Sequence, residues 1–399
     1  MALLLVGAVR GRSASPDDAY KQLAVFTEVL SRIKSDYVEE PDLKSVTLGA
    51  ITGLLESVDP YASYLNADQY KQYLKQKDLK RAEVGLLLSR RFGYMGVVDV
   101  VPGTAAARAG LNTGDMIEAI NGVGTRDMPL AFAELLLKGD PGTMVELTVR
   151  RVRQAESEKV SLTRAELRYP PVTTQLLADQ TAWIAFQTLE PGKVKEIANA
   201  ILGAERQGAK RILLDVRDCA LGAPEDGIQL ANLFLENGVI ATLQGQRIAK
   251  QVFEANPSKR ITKLPVAVLT NRGTAGGAEL AAAALLDSGR AEVVGERTYG
   301  DAALRKAVTL EDGSAIILAV GKYYSPSGKS IQENAVTPSI PVADTPEAEV
   351  PEEDLPVTPS EPRPRTADDP LVKKAIEVLT HGKARTAAAR EPEQLAPAA

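Results

Sequence analysis

One cysteine, Cys219, and one histidine, His381, stand in a chain of 399 residues. A lone cysteine excludes an intrachain disulfide and a cysteine-rich metal site. A lone histidine, placed in the C-terminal tail, excludes a Ser-His-Asp triad, a Cys-His pair and a multi-histidine metal centre within one chain. There is no excess of basic charge: 47 Lys and Arg face 52 Asp and Glu, for a net −5. Bulk electrostatics therefore offers no case for nucleic acid. Any catalysis must rest on Ser or Thr, Lys, carboxylates or backbone, and neither a cofactor nor a metal is expected. Long apolar runs are lacking too. Ala2–Val9 is followed by Arg10-Gly-Arg-Ser-Ala-Ser15. Residues 1–15 read as the remnant of a signal peptide or membrane anchor, although no basic segment precedes the apolar run; the alternative is a frayed hydrophobic terminus. No other stretch is long enough to span a membrane.

What is present is a 44% apolar content, ordinary for a globular protein, in a chain long enough for two or three domains. Residues 16–82 read as a helical segment. Leu23, Phe26, Leu30, Ile33 and Tyr37 recur at helical spacing, and Leu48, Ile51, Leu54 and Leu55 form a second stripe ended by Asp59-Pro60. Residues 83–165 read as a compact β-rich module: a strand from Val84, a second over Gly96–Val101, a short helix between Gly103 and Leu111, and a strand closing on Asn121-Gly122. This order, above all Gly103–Leu111 and Gly114–Gly122, resembles a PDZ domain. Residues 166–342 alternate strand and helix. The strands are Ala182–Phe186, Ile212–Val216, Val239–Leu243, Val266–Thr270 and Glu292–Gly295, followed by a hairpin turning at Asp312-Gly313. The alternation predicts an α/β fold, a mostly parallel sheet with helices on both faces. Residues 343–370 are rich in proline and acidic residues and read as a stiff, solvated linker; 371–399 form a tail with one short helix.

The ten residues Asn271–Leu280, Asn-Arg-Gly-Thr-Ala-Gly-Gly-Ala-Glu-Leu, follow an apolar strand and run into a helix pattern. A strand breaking on a glycine turn into a helix start is suited to chemistry, because the helix N-terminus offers free N–H groups and partial positive charge to an oxyanion. Gly276 and Gly277 occupy that turn, and no nucleophile does. Nearby, Asp59-Pro-Tyr-Ala-Ser-Tyr-Leu65, Gly295-Glu-Arg-Thr-Tyr-Gly300, Tyr324-Ser-Pro-Ser-Gly-Lys-Ser-Ile-Gln332 and Thr337-Pro-Ser-Ile-Pro-Val342 complete a set of blocks in fixed order. With the PDZ-like module between them, residues 20–342 resemble the carboxyl-terminal processing peptidases, or tail-specific proteases, of peptidase family S41. The resemblance implies the crotonase/Clp-protease-like core of that family with an inserted PDZ domain.

The family cuts peptide bonds with a serine–lysine dyad, in which a buried lysine loses its proton and activates the serine. The absence of histidine is therefore no objection; the dyad positions are. Carried onto this sequence, the nucleophile position is Gly276, the lysine position Asp301 and the supporting glutamine position Arg305. The block that helps build the oxyanion hole reads Val216-Arg-Asp-Cys-Ala-Leu221-Gly222, so the oxyanion-hole region comprises Leu221, Gly222 and Gly277. Of the polar set only Glu279 is retained. Losing nucleophile, base and glutamine together implies loss of the reaction. An Asp301–Arg305 ion pair could replace the vanished Lys–Gln contact. Thr274 and Cys219 are the hydroxyl and thiol near the turn, with Lys306 and Lys322 the nearby lysines; Thr274 is expected to cap the following helix and Cys219 to pack at a strand end.

The PDZ-like module keeps its backbone machinery. Val84-Gly85-Leu86-Leu87 stands where the family holds a peptide carboxylate by N–H groups, and Arg90 and Arg91 would favour acidic tails. The expected function is a non-cleaving relative that binds protein C-terminal tails in the periplasm or cell envelope, alone, self-associated or paired with an active paralogue. The alternatives are an active serine endopeptidase with a displaced dyad and a structural envelope scaffold that oligomerises through its N-terminal helices.

Overall fold

The computed structural model describes residues 16–343 and 365–381, apart from 60, 77–80, 92, 127, 153, 155 and 333. The apolar start at 1–15, the linker over 344–364 and the tail beyond 381 lie outside the described residues. Among those described, no helix is long and apolar enough to cross a membrane. Residues 1–54 and 55–399 form two compact units.

The first unit holds α1 (Pro16–Asp36) and most of α2 (Leu43–Glu56). Helix α1 keeps the spacing of Leu23, Phe26, Leu30 and Ile33 read from the sequence. Asp42 starts α2: its carboxylate accepts from Lys44 N–H at 3.0 Å and from the Ser45 hydroxyl at 2.6 Å, an N-cap arrangement that fills otherwise orphaned donors.

The second unit begins with β1 (Ser63–Leu65) and α3 (Ala67–Gln76). The sequence reading placed 63–65 in helix; the segment is a strand, because Leu65 is wholly buried against the core sheet and period-2 alternation buries Ser63 with it. The PDZ module follows as β2 (Leu86–Arg91), β3 (Tyr94–Val100), α4 (Ala105–Arg108), β4 (Met116–Ile120), β5 (Val123–Gly124), α5 (Leu130–Leu137), β6 (Met144–Arg150) and β7 (Ser157–Thr163). Its sheet runs β2-β3-β4-β6-β7, with β2 at the edge and β5 paired to β4. Backbone bonds from Glu83 N–H to Ala165 and from Ala82 N–H to Gly139 close the module on itself. Leu88, Met95, Ile117, Leu130, Leu137 and Leu147 fill its core.

The remaining elements are β8 (Thr173–Leu176), β9 (Thr181–Ala185), β10 (Thr188–Leu189), α6 (Lys193–Arg206), β11 (Arg211–Asp215), β12 (Leu221–Gly222), α7 (Pro224–Asn232), β13 (Val239–Gln244), β14 (Gln251–Glu254), β15 (Val266–Thr270), α8 (Gly277–Asp287), β16 (Ala291–Gly295), β17 (Ala303–Thr309), β18 (Ala315–Tyr324), β19 (Ile340–Pro341) and α9 (Pro370–His381). One sheet runs β19-β16-β15-β11-β9-β8, parallel except for β8. Its residues alternate faces as strands require. Ile184, Leu214, Val268 and Val293 pack under α6, α7 and α8, while Trp183, Leu213, Leu269 and Val294 pack under α9.

Helices thus cover both faces, but "mostly parallel" needs correction. Val239–Leu243, expected among the parallel strands, lies in a second sheet with β1, β14, β17 and β18, antiparallel throughout. The physical reason is the ten-residue β18, long enough to pair with β17 along one edge and with β1 and β13 in succession along the other. The hairpin turn at Asp312-Gly313 is as expected, with Ser314 N–H held by the Asp312 carboxylate at 3.0 Å.

Candidate functional site

Strand β15 ends at Thr270 and α8 begins at Gly277, so the glycine turn spans Asn271–Gly276. Asn271 organises it: its carbonyl oxygen accepts from Asp218 N–H at 3.0 Å and Gly273 N–H at 3.1 Å, and its amide donates to the Asp218 carboxylate at 2.7 Å. This stitches the turn to the 216–222 block. Ala275 N–H adds a bond to the Cys219 carbonyl at 3.0 Å. Thr274 does not cap α8. Its hydroxyl donates to the Val216 carbonyl at 2.9 Å and accepts from Asn271 N–H at 3.1 Å. It is fully buried and, among the described residues, hydrogen-bonds no Lys, His, Asp or Glu side chain, so it ties the two blocks together. The helix start is served by Glu279, whose carboxylate accepts from Gly276 N–H at 3.1 Å.

Gly276 has φ +60° and ψ −124°, a strained region for any residue with a side chain. Space is not the obstacle. A Cβ there would lie 3.7 Å from the carbonyl oxygens of Ala220 and Gly222 and 3.9 Å from that of Asp301, ordinary contact distances. The three blocks singled out in the sequence therefore meet at one point. Leu221 and Gly222 form β12, paired in parallel with Thr188 and Leu189, and Gly277 is the first residue of α8.

Glu279 is wholly buried. Besides Gly276 N–H it accepts from Gly300 N–H at 2.7 Å, Asp301 N–H at 2.9 Å and the Thr298 hydroxyl. Burial pushes its carboxyl up to about 7, against the pull of these hydrogen bonds. It is the buckle between the glycine turn and the 298–301 loop.

Asp301 and Arg305 do pair: Arg305 donates to the Asp301 carboxylate at 2.7 Å. The same guanidinium lies 3.4 Å from the Asp59 carboxylate and sits over the Tyr61 ring, 4.2 Å from its centroid. Asp59 is itself held by Tyr61 N–H at 3.0 Å and Ala319 N–H at 3.2 Å. Burial raises the Asp301 carboxyl and the Arg305 charge opposes this. For Arg305 burial works against the cation, yet the two carboxylates outweigh it and hold the guanidinium above its usual range. Sequence reasoning found the pair but missed Asp59 and Tyr61 as partners. Nothing in the spacing of the 59–65 block announces contact with residue 305.

Cys219 is wholly buried in the main core, and burial raises its thiol well above the usual range, so it packs as expected. Its neighbour Arg217 is 1% exposed and bidentate on Asp215, at 2.9 and 2.7 Å, and donates to Asp369 at 2.6 Å. Burial raises the Asp215 carboxyl, but Arg217 outweighs it and the net shift is downward. Arg365 bonds Asp218. The segment entering α9 is thereby tied to the 216–222 block.

In the PDZ module, Gly85 has φ +85°, and a Cβ on it would come 2.3 Å from the Thr104 hydroxyl oxygen; only glycine fits. The carbonyls of Val84 and Gly85 accept from Ala106 and Val101 N–H at 3.1 and 2.9 Å. Neither residue's own N–H makes a hydrogen bond among the described residues. Leu86 and Leu87 open β2, the edge strand, and α5 lies alongside it. Arg90 is 4% exposed and donates to the carbonyls of Met128 at 2.8 Å and Arg126 at 2.7 Å, and to Glu56. It is a structural bolt, which removes it from the expectation of acidic tails; the Arg91 side chain lies outside the described residues. The module is joined to the 298–305 segment through Tyr299, whose hydroxyl donates to Ser89 at 2.8 Å.

Residues 180–342 match the family model of peptidase family S41, and residues 96–151 that of the PDZ domain. The carboxy-terminal processing protease CtpA of Bacillus subtilis is 29% identical over 331 residues, 82% of this chain and 70% of that protein. The carboxy-terminal-processing protease of Bartonella bacilliformis is 28% identical over 349 residues, 86% of this chain and 80% of that one. Among solved structures, a photosystem II D1 C-terminal processing protease aligns with a TM-score of 0.65 at 24% identity, covering 80% of this chain and 92% of its own, a likeness of fold. With its blocks converging as described, the chain carries a peptidase family S41 domain and a PDZ domain and is similar to the carboxy-terminal processing proteases.

Proposed function

We propose that this chain binds the C-terminal tails of peptides or proteins through its PDZ domain and does not cleave them. The observation that carries the reading is the Asp301–Arg305–Asp59 network. At the position of the family's base stands a carboxylate already neutralised by a half-buried guanidinium, and the nucleophile position, Gly276, has no side chain. With no side chain at Gly276 there is no hydroxyl whose proton a base could take, and Thr274, the hydroxyl on the turn, is bonded into the scaffold. Tail binding is supported by the unbonded N–H groups of Val84 and Gly85 beside the edge strand β2, the arrangement by which a terminal carboxylate and an added strand are held. The relatives' names as carboxy-terminal processing proteases favour a tail as the ligand, and the apolar start at 1–15, read as a signal or anchor remnant, favours the cell envelope as the location. Such a protein could act alone, self-associate or partner an active paralogue.

The test is incubation of the purified chain with an unstructured protein bearing an apolar C-terminus, with fragments read by mass spectrometry. The triple variant Gly276→Ser, Asp301→Lys, Arg305→Gln is run beside it. The expected outcome is binding without fragments for the native chain. Steady cleavage by the native chain, free of contaminating protease, would overturn the reading.

A further inference from the structure

Helix α5 runs beside the edge strand β2, and Leu130, Glu134 and Leu137 share one flank of it at i, i+4 and i+7. Leu130 and Leu137 are buried in the PDZ core. Glu134, between them, is half-buried and makes no hydrogen bond or ion pair among the described residues. Its local neutraliser would be Lys138, four residues on. Lys138 instead holds Glu83 at 3.1 Å. The other cation near it, Arg305, is taken by Asp301 at 2.7 Å and Asp59 at 3.4 Å. Burial pushes the Glu134 carboxyl up to about 7; Lys138 and Arg305 pull against the rise without pairing with it, and Glu83 and Asp301 add to it. A half-buried acid without a counter-ion is costly to a fold. It is retained at low cost only where something else neutralises it. The arginine that could have given the groove the opposite sign, Arg90, is turned to backbone carbonyls and Glu56.

We infer that Glu134 selects the ligand of the PDZ groove, and that this ligand is a protein tail carrying a lysine or arginine a few residues before its terminal carboxylate. The inference rests on the tail-binding reading. The terminal carboxylate meets the N–H groups of Val84 and Gly85, the tail adds to β2, and its cation supplies the partner that Lys138 and Arg305 do not. Pairing in a half-buried groove favours the matched tail and disfavours an acidic one, through repulsion as much as attraction.

The experiment uses the full chain and fluorescent eight-residue peptides sharing one apolar C-terminal pair. Lys, Ala or Glu is placed in turn at each of the four positions before that pair, and binding is read by anisotropy. At one position the Lys peptide should bind about tenfold more tightly than its Glu counterpart, the effect of one partly desolvated ion pair. Glu134→Gln should keep the affinity for the Ala peptide and lose the preference; Glu134→Lys should reverse it. Thermal melting of Glu134→Gln checks the fold, and the native comparison of Lys with Glu needs no variant. Equal binding of all charges, or a preference that survives Glu134→Gln, overturns the inference and leaves tail binding standing. Failure of the native chain to bind any tail overturns tail binding itself, and the inference with it.

Discussion

At the scale of single residues, Asp301 and Arg305 hold one another, and Asp59 gives the guanidinium a second carboxylate. Removing one partner of this half-buried pair leaves an uncompensated charge. Arg305→Gln alone should therefore cost about 3 kcal/mol of unfolding free energy, and Asp301→Asn somewhat less, because Asp59 still faces the guanidinium. The double change should cost less than the two single ones added together. Urea unfolding of the three variants measures this; strict additivity would show that the pair contributes nothing. The pairing itself was readable from the spacing of 301 and 305. The participation of Asp59 and Tyr61 was not, since it depends on residues some 240 positions away being brought under β17 by the pairing of β1 with β18. Thr274 was misread for a similar reason. A hydroxyl ahead of a helix reads locally as a cap, and only the tertiary contact with Val216 gives it another partner.

At the scale of elements, α9 does more than its place at the end of a proline-rich tail suggests. It closes one face of the parallel sheet, burying Leu371, Val372 and Ala375 against Trp183, Leu213 and Leu269, and Asp369 at its start meets the buried Arg217. Leu371→Ala should therefore cost about 3 kcal/mol, the scale of a large-to-small change in a packed core, whereas Lys374→Ala on the exposed face should leave the denaturation midpoint nearly unchanged. A midpoint equal to the native one for Leu371→Ala would mean that α9 does not carry that face. Most strands, the PDZ order and the β17–β18 hairpin were legible, because each shows a local signal: an apolar run, a glycine turn, a period of two. The second sheet was not, because parallel and antiparallel strands carry the same apolar run. Whether β13 joins β11 or β18 is set by the long-range pairing of β18.

At the scale of the whole molecule, the scarcity of histidine makes the pH dependence of stability a clean reading of buried carboxyls. His381 is the one histidine and is exposed at the end of α9. Burial pushes the carboxyls of Asp99, Glu134 and Glu279 up to about 7 each from ordinary values of 3.8, 4.5 and 4.5. For Asp99 the Asp218 charge adds to the rise, and Arg365 opposes it. Between about pH 4.5 and 7 the folded chain holds protons on these groups that the unfolded chain has released. Their contribution is fully present below the ordinary carboxyl range and is lost as pH rises through about 7. Asp215, shifted the other way by Arg217, loses its contribution only below the ordinary aspartate range, outside this window. The thermal midpoint should therefore be higher at pH 5 than at pH 8, and Asp99→Asn and Glu279→Gln should each flatten the slope. Scanning calorimetry in steps from pH 4.5 to 8 measures it. A midpoint that is level or rises with pH would show that these carboxyls ionise in the folded chain at their ordinary values, and that the buckle at Glu279 is held as a carboxylate throughout.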